Sequence, residues 1–208
     1  MRIGVDFDNT IAGYDRLFAR LAVEEGLLPA SPGGGKRAVR DGLRARPGGE
    51  AAWQRLQGLA YGARMAEAEL IAGAAGFLER CRRAGVPVHV VSHKTRHSAF
   101  DPQRVDLRRA ALGWMEAHGF FRPDGLGLDR EQVFFEETRA AKIARIRALG
   151  CSHFIDDLEE VFAEPSFPRD VAAILYDPGG QAANGNGGAY RSFADWRQIT
   201  EHVLGTLN

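Results

Sequence analysis

Short apolar runs alternate along the chain with longer amphipathic segments. The runs are rich in Val, Ile and Phe, and they predict five buried strands, at residues 3–5, 86–91, 133–135, 154–155 and 172–176. Apolar positions spaced three or four residues apart predict helices between the strands, at residues 75–84, 104–118 and 140–149. We expect Thr138 to cap the last of these helices and Gly150 to end it. Such an alternation is typical of an α/β fold in which helices cover both faces of a parallel sheet.

Residues 14–75 break this alternation. They contain helical patterns at 17–25 and 50–59, separated by breaks rich in Gly and Pro, and no strand pattern. We therefore predict an α/β core domain, residues 1–13 and 76–208, with a small helical cap, residues 14–75, inserted into it. Within the core, the Gly- and Asn-rich segment 179–188 is predicted to be a mobile loop, and residues 192–207 a final amphipathic helix.

The charge balance narrows the classes of function. The chain has 208 residues, and 27 basic residues balance 27 acidic ones, so it lacks the summed positive field of a general nucleic-acid-binding protein. Its two cysteines have no CxxC partner and are predicted to be reduced. The sequence shows no secretory signal. It also shows no run of the roughly 20 apolar residues that a membrane helix needs. We expect a cytoplasmic protein that binds neither nucleic acid nor membrane.

Two aspartates follow the first predicted strand, in the sequence Asp6-Phe7-Asp8-Asn9-Thr10. Residues two apart in an extended segment face the same way, so the carboxylates of Asp6 and Asp8 are expected to converge. Their repulsion is relieved when a cation lies between them or when one of them holds a proton. Phosphoryl transfer through an aspartyl intermediate requires both the cation and the protonated carboxyl group. A solvated turn with an Asx cap is the alternative interpretation.

Further polar residues are predicted at the same edge of the sheet. Ser92 follows the second strand, Lys142 lies in the first turn of the helix after the third strand, and Asp156 and Asp157 end the fourth. The alternatives are an ordinary turn serine, a solvent-facing lysine and, for Asp157, a helix N-cap. The paired carboxylates suit Mg²⁺, which binds one or two carboxylates together with waters and a substrate phosphate.

This order of an aspartate pair, a serine, a lysine and a second aspartate pair resembles the haloacid dehalogenase-like (HAD) hydrolase superfamily. The resemblance covers the predicted core, about two-thirds of the chain, and matches residues 14–75 only in position, as a cap placed after the first motif. It implies a Rossmann-like three-layer core whose strands lie in the order 5-4-1-2-3, with the Asp6 strand in the centre.

The resemblance also implies a role for each motif residue. Asp6 would be the nucleophile that attacks phosphorus. Asp8 would be the acid that protonates the leaving oxygen and the base that later activates water. Ser92 would hold the phosphoryl group, and Lys142 would pair with the Asp6 carboxylate and the phosphate.

Mg²⁺ is the implied cofactor. Its ligands would be Asp6, the backbone carbonyl of Asp8 and Asp156, with Asp157 as a second ligand or a partner of the ligands.

Substrate-binding residues are expected beside these motifs, at Asn9 and Thr10 after the first strand and at His93 and Lys94 after the second. His93 and Lys94 begin a basic stretch suited to a second phosphate or a carboxylate of the substrate, and a solvated loop is the alternative.

Together these residues predict a Mg²⁺-dependent phosphatase that acts on a small phosphorylated metabolite through an aspartyl phosphate on Asp6. Asp8 favours phosphate-ester hydrolysis, because superfamily members that cleave carbon–halogen bonds need no acid at that position. A phosphotransferase or mutase with the same intermediate, and a non-catalytic binding protein with the same fold, are the alternatives. The order of the motifs disfavours a phosphoacceptor receiver domain, and the lack of GxGxxG after the first strand disfavours a dinucleotide site.

Overall fold

A computed structural model describes residues 1–180 and 189–205. By its internal contacts the chain divides into two compact units. The first comprises Met1–Ile11, Leu70–Lys94 and the chain from Gly119 onward, and the second comprises Ala12–Glu69 and Thr95–His118. The second unit thus contains residues 95–118, which the sequence analysis assigns to the core domain. The predicted loop at 179–188 lies, from residue 181 on, outside the described residues.

The strands are β1 (Ile3–Val5), β2 (Ala12–Gly13), β3 (Glu69–Leu70), β4 (Val88–His93), β5 (Val133–Glu136), β6 (His153–Asp156), β7 (Ala172–Tyr176) and β8 (Arg191–Phe193). The α-helices are α1 (Asp15–Glu24), α2 (Gly35–Arg44), α3 (Gly49–Tyr61), α4 (Ala74–Arg83), α5 (Leu107–Ala117), α6 (Arg139–Ala148), α7 (Glu159–Phe162) and α8 (Trp196–Leu204). Within the described part of the chain, none of these helices is both long enough and apolar enough to span a bilayer.

Six parallel strands form the sheet of the first unit, in the order β5-β4-β1-β6-β7-β8. The five predicted strands follow the predicted order, with β1 between β4 and β6, so the α/β fold class is confirmed. The sixth strand, β8, is not predicted. The prediction of one helix over 192–207 is wrong at its start, because Asp195 caps α8 by accepting a hydrogen bond from the backbone N–H of Gln198 at 2.8 Å. The residues before this cap pair with β7 instead.

Helices pack on both faces of this sheet. Leu175 of β7 and Ile143 of α6 belong to an apolar cluster on one face. Tyr176, the next residue along β7, faces the opposite way. There Trp196 of α8 packs against Tyr176 and against Phe77 of α4, with ring centroids 6.0 and 5.0 Å apart.

The central strand β1 contains a glycine that allows close packing. Gly4 is paired with Phe154 of β6. A Cβ atom at Gly4 would lie 2.5 Å from Cδ2 of Phe154 and 3.1 Å from Sγ of Cys151. The missing side chain therefore lets the Phe154 ring lie against β1, just before the strand leads into Asp6.

Helix α6 begins and ends close to where the sequence predicts. The side-chain oxygen of Thr138 caps it by accepting a hydrogen bond from the backbone N–H of Ala141 at 3.1 Å. Gly150 follows the helix with a φ of 63°, a left-handed conformation that favours glycine. These two signals place Lys142 in the first turn, at the carboxyl edge of the sheet.

The second unit contains α1, α2, α3 and α5. Its core is rich in aromatic side chains. Tyr14 lies edge-on to Tyr61 with ring centroids 4.8 Å apart, and Phe18 packs against Trp53 at 4.9 Å.

Two elements of residues 14–75 differ from the prediction. Helix α2 is not predicted from the sequence, because the apolar side chains that it buries are only Val39 and Leu43. The expectation that this stretch holds no strand is also wrong, because β3 pairs with β2 in a separate two-stranded sheet. Each of these strands has two residues, too few for an alternating pattern to show.

Candidate active site

Asp6 lies at the carboxyl end of β1. Its backbone N–H donates to the carbonyl of Ile155 in the neighbouring strand at 2.8 Å, which fixes the main chain where the strand ends. Only 4% of Asp6 is exposed. The central position of β1 therefore places a buried carboxylate between the ends of β4 and β6.

The ammonium of Lys142 joins two carboxylates at this edge. Its Nζ donates to Oδ1 of Asp6 and to Oδ2 of Asp156, each at 2.6 Å. The side chain of Lys142 is 2% exposed, so the alternative of a solvent-facing helix lysine is wrong. The start of α6, set by the Thr138 cap, delivers this charge to the site.

Burial dominates the ionisation of Asp6. The pKa of the Asp6 carboxyl is raised to about 7, with loss of hydration as the largest cause. Lys142 opposes this rise, and the charges of Asp156 and Asp8 contribute to it. Burial acts to lower the pKa of Lys142, but the charges of Asp156 and Asp6 outweigh it and hold that pKa above its usual value. The site therefore combines a firmly protonated lysine with a carboxyl group that ionises reluctantly.

Three carboxylates form a cluster that could hold a cation. Asp6, Asp156 and Asp157 each offer an oxygen, and these three oxygens lie within 4.8 Å of one another. Asp157 also accepts a hydrogen bond from Oγ1 of the buried Thr10 at 3.3 Å. The N-cap position of α7 is Leu158, the residue after Asp157.

Asp8 is paired with a different lysine. Nζ of Lys94 lies 3.1 Å from Oδ1 and 2.9 Å from Oδ2 of Asp8. The Lys94 side chain is 2% exposed and that of Asp8 is 18% exposed. The two aspartates of the first motif thus each bind an ammonium group, Asp6 that of Lys142 and Asp8 that of Lys94.

The remaining predicted site residues lie around these two pairs. Ser92 is buried near the end of β4, the strand next to β1. Asn9 has a φ of 58°, the left-handed conformation of a tight turn. The exposed His93 places its Nε2 3.0 Å from the carbonyl oxygen of Glu137. The Asp8 side chain is not part of the carboxylate cluster, and metal binding by its backbone carbonyl stays a prediction.

Sequence reasoning does not find the pairing of Lys94 with Asp8, because it groups Lys94 with the basic stretch that follows β4. One signal in the sequence points to it. The chain has only three lysines, and Lys94 comes two residues after Ser92 at the edge where the motifs meet. The sequence also does not predict the hydrogen bond from Nε1 of Trp196 to the carbonyl of Thr10, at 3.0 Å, and for this contact it contains no signal.

Several solved structures are similar to the chain over nearly its whole length. A HAD family hydrolase from Deinococcus radiodurans R1, with bound phosphate and sodium, is 17% identical with a TM-score of 0.57, covering 98% of this chain and 95% of that one. A HAD hydrolase of family IA, variant 3, from Entamoeba histolytica is 10% identical with a TM-score of 0.60, covering 99% and 98%. An L-2-haloacid dehalogenase is 14% identical with a TM-score of 0.55, covering 98% of each chain.

No family model and no curated protein matches the chain. At identities of 10–17% the structural likeness concerns the fold. The chain has the fold of the haloacid dehalogenase-like hydrolases, and the resemblance found in the sequence is confirmed at that level.

Proposed function

We propose that this protein is a Mg²⁺-dependent phosphatase that hydrolyses a small phosphorylated metabolite through an aspartyl phosphate on Asp6. The observation that carries the proposal is the buried Asp6 carboxylate in contact with Lys142. An ammonium group at this position lowers the repulsion between an anionic nucleophile and an anionic phosphate. The Deinococcus hydrolase of the same fold, solved with bound phosphate, supports a phosphate-containing substrate.

The reaction proceeds in two steps on the carboxyl groups of Asp6 and Asp8. In the first step an oxygen of Asp6 attacks phosphorus, the bond from phosphorus to the leaving oxygen breaks, and Asp8 gives that oxygen a proton. In the second step water attacks phosphorus, Asp8 takes a proton from the water, and the bond to Asp6 breaks to release phosphate. Ser92 holds a phosphoryl oxygen during both steps.

The residues at the sheet edge fit a Mg²⁺ ion. Carboxylate oxygens are the ligands that this hard cation prefers. Asp6, Asp156 and Asp157 would hold it, since their oxygens lie within 4.8 Å of one another. When bound, a divalent cation polarises a phosphoryl oxygen and offsets the charge of the transition state.

Cleavage of a carbon–halogen bond is the second candidate, because an L-2-haloacid dehalogenase has a similar fold. A halide leaves as an anion and takes no proton, so that reaction has no use for Asp8 as an acid. It also gives no role to a carboxylate cluster suited to a divalent cation. Both features favour a phosphate ester over a haloacid.

The proposal is tested by phosphate release from a panel of sugar phosphates, nucleotides and short phosphorylated acids, with Mg²⁺ and with EDTA. Asp6→Asn removes the nucleophile with little change of shape, so release should fall to the uncatalysed level. Asp124→Asn is the matched control, since that side chain is 83% exposed and should leave turnover unchanged. Halide release from 2-haloacids is measured in parallel.

Metal-dependent phosphate release that is lost in Asp6→Asn and kept in Asp124→Asn supports the phosphatase. Halide release without phosphate release contradicts it in favour of the dehalogenase. Undiminished phosphate release by Asp6→Asn rules out Asp6 as the nucleophile.

A further inference from the structure

Lys94 is a buried lysine that the two-step reaction leaves without a role. Resting on the proposed function, we infer that Lys94 is a positioning residue. It holds the carboxyl group of Asp8 in the direction needed for proton transfer to the leaving oxygen. Its contacts at both ends of the side chain carry this inference.

Lys94 is fixed at its backbone and at its ammonium group. Its backbone N–H donates to the carbonyl of Glu136 at 2.9 Å, which ties the residue to β5. Its Nζ contacts both carboxylate oxygens of Asp8 and lies 5.6 Å from the ring centroid of the buried Phe7. A lysine held at both ends has lost most of its rotamer freedom, so it provides a rigid support.

The main chain around Asp8 shows why a support is useful. Asn9 turns the chain in a left-handed conformation immediately after Asp8. The backbone N–H of Ile11 donates to the carbonyl of Phe7 at 3.0 Å and closes this turn. Asp8 therefore lies directly before a tight turn over residues 9–11. Its carboxyl group stands at the end of a side chain with two rotatable bonds. Contact of Lys94 with both oxygens selects one direction of the carboxyl group, and proton transfer is sensitive to such geometry.

This role differs from the one expected from the sequence, in which Lys94 clamps an anionic group of the substrate. A clamp acts on binding, so its loss raises KM. A support for the acid acts on proton transfer, so its loss lowers kcat. The decrease in kcat is larger for a leaving group that needs a proton than for one that leaves as an anion. The two roles are therefore separable by kinetics.

The experiment compares Lys94→Met, Asp8→Asn and the double variant with the unaltered protein on two substrates. One is 4-nitrophenyl phosphate, whose phenolate leaves without a proton, and the other is the alkyl phosphate with the highest turnover in the panel. Lys36→Met is the matched control, because it makes the same change at a lysine of the second unit. Thermal unfolding of each variant is recorded to establish that it is folded.

We expect Lys94→Met to lower kcat for the alkyl phosphate by roughly 10²-fold or more, within the range of general acid catalysis, with little change of KM. The burst of nitrophenol, which reports the first step alone, should slow by less than about tenfold, because that leaving group needs no acid. The double variant should be no slower than Asp8→Asn, because residues that act through one another are not additive.

Three outcomes would overturn the inference while leaving the phosphatase intact. They are a raised KM with unchanged kcat, equal losses on the two substrates, and a double variant in which the two losses multiply. Lack of phosphate release by the unaltered protein would overturn the proposed function and this inference with it. An inactive Lys94→Met whose unfolding transition is lost would show a structural role and would also contradict the inference.

Discussion

Asp6 is buried beside two other carboxylates, and this arrangement has a cost that depends on pH. Its folded-state pKa of about 7 lies above the ordinary value of 3.8. When folding raises the pKa of a carboxyl group, the group contributes its full stabilisation at a pH below its unfolded-state pKa. This contribution is lost as the pH rises through the folded-state pKa. The relevant window is therefore about pH 4 to 7.

Without a divalent cation, the protein should lose stability over this window relative to Asp6→Asn. Each pKa unit corresponds to about 1.4 kcal/mol, so the relative loss between pH 4 and pH 8 should be at most on the order of 4 kcal/mol. Urea unfolding in EDTA at several pH values measures it. Asp124→Asn is the control and should follow the unaltered protein. A constant difference between Asp6→Asn and the unaltered protein at all pH values would contradict this prediction.

At the residue scale, the sequence and its resemblance predict that Lys142 pairs with Asp6, but they do not predict the partner of Asp8. Asp6, Lys142 and Asp156 follow from the sequence because strand ends and a helix start are local features, and parallel strands bring them to one edge. The pairing of Lys94 with Asp8 does not follow. It depends on a turn at Asn9 and on the register between β1 and β4, and neither has a local signal strong enough to read.

At the scale of the elements, close packing of β1 depends on Gly4. A Cβ there would lie 2.5 Å from the ring of Phe154, which is fully buried. Gly4→Ala should destabilise the protein by about 1–3 kcal/mol through overpacking. This corresponds to a fall in Tm of roughly 2–12 °C for a chain of this size.

Gly76→Ala provides the control for this substitution. Gly76 lies within α4, and a Cβ there meets no atom within 4 Å. Alanine is the better helix former, so this variant should gain about 0.5–1 kcal/mol. Equal Tm values for the two variants, measured by calorimetry, would contradict the close-packing argument.

The elements that the sequence predicts are those with a run or a regular spacing of apolar residues, or with a side-chain cap. α6 has both, with Thr138 at its start and Ile143 and Ile146 on its buried face. β8 and α2 have neither. β8 is a short edge strand held by backbone pairing with β7, and α2 starts after Gly34 without a side-chain cap. Tertiary contacts decide such elements, so local patterns do not reveal them.

For the whole molecule, the carboxylate cluster connects cation binding with global stability. A cation that binds the folded chain and not the unfolded one stabilises the fold by mass action. At a Mg²⁺ concentration about 100 times the Kd, the gain is about 2.7 kcal/mol. The expected rise in Tm is roughly 5–10 °C, and EDTA should reverse it.

Asp156→Asn and Asp157→Asn each remove one charged ligand of the cluster and should reduce this rise in Tm, whereas Asp124→Asn should retain it. The comparison is made at pH 8, above the folded-state pKa of Asp6, because a protonated carboxyl group is a poor ligand. Two cluster variants are used because Asp156 also binds Lys142, and its loss affects the fold directly. An equal rise of Tm in all four proteins would show that Mg²⁺ acts elsewhere on the molecule and would remove the cluster from the proposed site.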